Sequence, residues 1–137
     1  MYNRPGVRNE VTAVRNIIYL HVIDEKIKPE FLAKLKKYCE AFYLGMTVKI
    51  MYPSDAKTSK EFMEKYQIPS REGGKDTRQY LATNILKKTI PLVPNDAYCM
   101  LTITMQDLYP GDNWVYCFGW AMYKARTGVF SFLRFDP

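Results

Sequence analysis

"DLYPGDNWVYCFGWAMYKARTGVFSFLRFDP", residues 107–137, closes the chain, and its reading decides the fold. "YPGD" (109–112) is a turn: Pro110 presets φ at the second position, and Gly111 meets the positive φ needed at the third. "WVYCFGWAMY" (114–123) and "GVFSFLRF" (128–135) are β-prone runs joined by residues 124–127, with Gly128 as a bulge or turn exit. A hairpin this rich in aromatic side chains implies a sheet upstream to which it adds.

Working outward, "DAYCMLTITMQDLYP" (96–110) reads as one long central strand with Asp107 near its end. "RNIIYLHVID" (15–24) is a short apolar run with little alternation, as in a strand buried on both faces. Between it and the strand "MTVKIMYP" (46–53), Phe31, Leu32, Leu35, Tyr38, Cys39, Phe42 and Tyr43 form one apolar helical stripe. Pro29 suits that helix's first turn and Gly45 its left-handed stop. Strand, helix and strand in this order make a right-handed parallel βαβ unit. Residues 54–75 read as a polar excursion with one helical turn at 59–66, and 76–91 as a second helix capped by Asp76 or Thr77. The sum is an α/β (α+β) domain over 14–137, a mixed sheet of five strands with two main helices on one face, preceded by a flexible tail at 1–13.

Composition narrows the chemistry. With 47% hydrophobic and 15% aromatic residues the chain is not disordered, and no apolar run reaches the ~20 residues of a membrane span. No secretory signal opens it, so a cytoplasmic or nuclear protein is expected. The net charge of +6 comes from cations interleaved with acids, as on a solvated surface, and nucleic acid is not expected as a partner. Cys39, Cys99 and Cys117 are too far apart for a disulfide framework and read as reduced, mostly buried thiols. The single histidine, His21, lies within the first strand, where a packed, hydrogen-bonded ring is expected. Asp107 is placed to act as an acid or base, or to satisfy the backbone of the turn that follows it. No HExxH helix, Ser-His-Asp set or phosphate loop is present.

"TITMQDLYPGDNWVYCFGWAMYKARTGVFSFLRFDP" (102–137) resembles the signature region of archaemetzincins, zinc metallopeptidases of the metzincin clan. "FLAKLKKYCEAFYLGMTVKIMYP" (31–53) and "ILKKTIPLVPNDAYCMLTIT" (85–104) are similar to that family's helix and its second and third strands, so the resemblance covers about residues 16–135. Trp120 departs from it, since the family usually has glutamine there. The resemblance implies a metzincin-like upper subdomain whose fourth strand, here 115–123, lies antiparallel at the sheet edge. Phe118, Gly119, Trp120 and Ala121 would there line the cleft and bind peptide. Trp114 belongs with Asp107, Pro110, Gly111 and Gly128 to the turn and hairpin that shape this edge.

In the family a helix carrying HExxHxxGxxHC follows and binds zinc; the chain ends before it. This chain by itself is therefore expected to hold no zinc and to be inactive, as the upper part of a peptidase whose parent hydrolyses peptide bonds. The alternative is a noncatalytic relative that binds peptides or proteins through the edge strand. Either way the edge is expected to attract an extended chain or a second copy. Proline at Phe118 or Trp120 is expected to remove a donor from it.

Overall fold

Side chains alternate across a strand, and that alternation divides β1 (Ile17–Val22) between two cores. Ile18, Leu20 and Val22 are buried with Val48, Ile103 and Leu32, the last on α1 (Pro29–Phe42). His21 points the other way and meets Phe62 of α2 (Ser59–Lys65) edge-on, with ring centroids 5.8 Å apart. Helices therefore cover both faces of the sheet, not one. The computed structural model describes residues 15–42, 46–73, 78–111 and 116–133. The expected tail at 1–13 lies outside them, as do Gly45, Asp76 and Thr77.

The main sheet has five strands in the order β2 (Thr47–Met51), β1, β5 (Ala97–Thr104), β8 (Thr127–Ser131), β7 (Gly119–Met122). Its first four strands run parallel, and β7 pairs antiparallel with β8 at the end of the order. A mixed five-stranded sheet with an antiparallel edge strand is what the sequence led one to expect. Among the described residues no helix is long and apolar enough to cross a membrane.

Three features differ from the sequence reading. First, the polar excursion contains β3 (Ser70–Glu72), which pairs antiparallel with β4 (Arg78–Leu81). Second, the helix expected over 76–91 is shorter, α3 (Ala82–Thr89), because Arg78–Leu81 is already strand. Third, the long strand 96–110 is broken. Asp24, two residues past the end of β1, accepts from the amide of Met105 at 2.8 Å, and Thr104 Oγ1 accepts from the amide of Gln106 at 3.0 Å. These side chains take the amides that a continuing ladder would use. The chain then leaves the main sheet, and β6 (Asp107–Tyr109) pairs with β4 in a second sheet ordered β3, β4, β6.

α2 does form where one helical turn was expected, and its start is locally encoded. Thr58 Oγ1 accepts from the Glu61 amide at 3.1 Å while Glu61 Oε2 accepts from the Lys57 amide at 3.0 Å. This is a reciprocal cap of the capping-box type. Its buried Phe62 and Met63 join Ile85 and Leu86 of α3, Leu108 of β6 and Val129 of β8 in the second core.

Candidate functional site

Hydrogen-bond parity defines the outer edge of β7. The Ser131 amide donates to the Phe118 carbonyl at 2.8 Å, so these residues form a hydrogen-bonded antiparallel pair. With the register Trp120↔Val129 and Met122↔Thr127, those pairs are bonded as well. The intervening pairs, Gly119↔Phe130 and Ala121↔Gly128, are the non-bonded ones. The N–H and C=O groups of Gly119 and Ala121 consequently point away from β8. This corrects the expectation about proline: at Phe118 or Trp120 it would break the internal ladder, whereas the outward donors belong to Gly119 and Ala121.

One residue pair before Gly119 the outer side is occupied. Cys117 donates its amide to the Leu108 carbonyl at 2.9 Å, in an antiparallel bridge to β6. The second sheet thus abuts the edge at Cys117, and the stretch beyond it starts at Gly119.

The side chains of this edge are unequal. Trp120 is 46% exposed and Phe118 39%, so neither is core. Trp120 lies on the sheet face of Val129 and Met122, toward the core built by α2 and α3. Ala121 is exposed on the opposite face. Phe118 meets Tyr116 edge-on at 5.4 Å between centroids.

Gly119 has a structural reason that the sequence did not reveal. A Cβ there would lie 2.8 Å from Phe130 Cδ2 and 2.8 Å from the Val129 carbonyl oxygen. The cross-strand phenylalanine ring already fills the space over the glycine. Gly119→Ala is therefore expected to destabilise the protein by about 1–3 kcal/mol through overpacking. Urea unfolding measures this, and an unchanged midpoint would contradict the close packing.

Of the hairpin residues, Gly128 lies inside β8 opposite Leu101 and Ala121, not at a bulge. The left-handed turn residue is Arg126 (φ 60), whose amide donates to the Tyr123 carbonyl at 3.1 Å. Pro110 and Gly111 form the bend that follows β6, and Trp114 lies outside the described residues. Asp107 is 2% exposed and its Oδ2 accepts from Gln79 Nε2 at 2.9 Å, while Gln79 Oε1 accepts from Arg71 Nε at 2.8 Å. Gln79 escaped the sequence reading because a polar residue before an apolar helical pattern gives no sign of burial.

The thiols are free but half-buried, less enclosed than expected. Burial pushes Cys99 up to about 11 and raises Cys39 and Cys117, so none is an activated nucleophile. His21 is hydrogen-bonded as expected, with Nδ1 3.0 Å from Thr102 Oγ1, and its ring is buried. Among the described residues no three His, Cys, Asp or Glu side chains converge as a metal site. Zinc does not fit these residues: the one imidazole faces Phe62 inside the core, and the thiols sit on α1, on β5 and before β7.

The fold is that of archaemetzincin. The crystal structure of archaemetzincin from Methanopyrus kandleri superimposes with a TM-score of 0.58 at 23% identity, covering 91% of this chain and 62% of that one. In sequence the chain is homologous to part of the animal archaemetzincins. It is 36% identical to mouse archaemetzincin-2 over 132 residues, 88% of this chain and 33% of that protein. To human archaemetzincin-1 it is 36% identical over 125 residues, 89% of this chain and 24% of that protein. It therefore spans a quarter to a third of the length of these relatives. No protein-family model matches it.

Proposed function

We propose that this chain is the substrate-supporting sheet of an archaemetzincin-type zinc metallopeptidase, and that β7 binds the peptide to be cleaved as an added strand. The observation that carries this reading is the outward pair of N–H and C=O groups on Gly119 and Ala121. An extended peptide satisfies such groups by β-augmentation, with backbone bonds giving affinity and alternate side chains giving selectivity. Trp120 and Phe118 flank these groups with exposed aromatic surface suited to apolar side chains.

In this reading zinc and the hydrolytic groups come from residues other than those described, and the present residues bind and align the substrate. The protein works in the cytoplasm or nucleus, and a second copy of the chain is another source of a strand for the same edge.

Ala121→Pro tests the reading, because it removes an outward donor while leaving the bonded pairs at Trp120 and Met122. The probe is an end-blocked hexapeptide of alternating threonine and valine, titrated into the 15N-labelled chain. Perturbation is expected at the Gly119 and Ala121 amides, with affinity about tenfold weaker in the proline variant, the worth of roughly one hydrogen bond. Perturbation confined to the opposite edge, β2, would refute the assignment. Sedimentation of the unliganded chain shows whether a second copy already fills the site.

A further inference from the structure

We propose that Gln79 and Asp107 are positioning residues for the β7 edge, and that they act through β6. The proposal rests on the reading of β7 as a peptide site only for what the edge is used for; the mechanical link is independent of it.

The link begins with a polar row. Arg71, Gln79 and Asp107 are in register across the second sheet, one from each strand. Their side chains are joined in a single direction, Arg71 Nε donating to Gln79 and Gln79 Nε2 donating to Asp107, at 2.8 and 2.9 Å. Gln79 and Asp107 are 4% and 2% exposed, so each bond holds groups that would be costly to leave unpaired. The Arg71 guanidinium also lies 4.0 Å over the ring of Tyr109. Both ends of the three-residue strand β6 are thus tied to the second sheet, Asp107 through Gln79 and Tyr109 through Arg71.

Leu108, between them, faces the other way and is fully buried in the core of α2 and α3. Its carbonyl accepts the Cys117 amide. The position of β6 therefore fixes the residue at which the outer side of the edge is closed, and so where the stretch with no further partner strand among the described residues begins. A β6 freed from the row would release Cys117, and the approach to β7 would fray.

The row can be broken and restored by exchanging chemistry between two positions. Gln79→Glu sets a second carboxylate against Asp107 with no donor between them. Adding Asp107→Asn restores both bonds with the charge moved to the middle strand. The introduced carboxylate then accepts from Arg71 on one side and from the introduced amide on the other. Residue-specific amide hydrogen exchange on the full chain reads the result. Cys117 and Ser131 report on the edge, and Leu20 and Ile103 report on the main sheet.

In Q79E the Cys117 amide is expected to exchange about tenfold faster, with Leu20 and Ile103 within about twofold of the wild type. The Q79E/D107N chain should return Cys117 to within about threefold of the wild type. An unchanged Cys117 in Q79E, equal acceleration at all four amides, or a double variant as fast as the single one would overturn the proposal. Should Q79E not fold, Arg71→Met breaks the row at its half-buried end, and about threefold faster exchange at Cys117 is expected with the same controls. The hexapeptide titration keeps the two ideas apart. A wild-type chain that ignores the peptide removes the proposed function, while the exchange results still decide the role of the row.

Discussion

Phe62→Ala is expected to remove about 3–5 kcal/mol of stability, the usual cost of emptying a fully buried aromatic site. Phe62 has no exposed surface, and it joins three elements that are distant in sequence. Its ring lies 4.6 Å from Tyr66 within its own helix segment and 5.8 Å from His21 on β1, centroid to centroid. The same cluster contains Ile85 and Leu86 of α3 and Leu108 of β6. α2 is only seven residues long, and Phe62 and Met63 are its large buried side chains, so little else on the helix can refill the space. Stabilities of single domains are about 5–15 kcal/mol, so the variant would stand near the limit of folding. Urea unfolding should show a much lower midpoint at unchanged slope, and a shift corresponding to less than about 1 kcal/mol would mean that Phe62 does not join these elements.

The legible part of the fold is the part whose signals are local. Pro29 and the apolar stripe define α1, and the β-branched runs on either side define β1 and β2. The hairpin and the family resemblance together place β7 antiparallel at the edge, as observed. What escaped was set by distant partners. Arg78–Leu81 carries the start of a helical pattern, yet becomes a strand because β3 and β6 lie on either side of it. Residues 96–110 show unbroken strand propensity. The chain nevertheless turns at Met105, where Asp24 takes its amide from 81 residues away. At the site, the resemblance pointed to residues 118–121, but not to which of them face outward. That follows from one bond, Ser131 to Phe118, and the parity it imposes. Gly119 was expected to line the cleft, and Phe130 supplies a packing reason for it within the chain itself.

The second large effect is a loss of stability in mild acid, carried by His21. The ring is buried, its Nδ1 is paired with Thr102, and its Nε2 has no hydrogen-bond partner among the described residues. Burial lowers its pKa from 6.5 to about 4, against a smaller opposing pull from the Asp55 carboxylate. Between about pH 6.5 and 4 the unfolded chain therefore binds a proton that the folded chain refuses, and stability falls as pH falls. Full stability holds above 6.5; by pH 4 the deficit approaches about 3 kcal/mol, from about 1.36 kcal/mol per pH unit. His21→Met keeps an apolar side chain of similar length at the site and removes the titration. Its unfolding free energy, whatever its absolute value, should vary less steeply across that window than the wild type's. Phe62 enters here too, because a cavity beside the imidazole admits water to Nε2 and raises the folded-state pKa toward 6.5. The pH dependence of Phe62→Ala should accordingly be shallower than that of the wild type. Parallel stability curves for wild type and His21→Met between pH 4 and 6.5 would show that acid acts on the fold elsewhere.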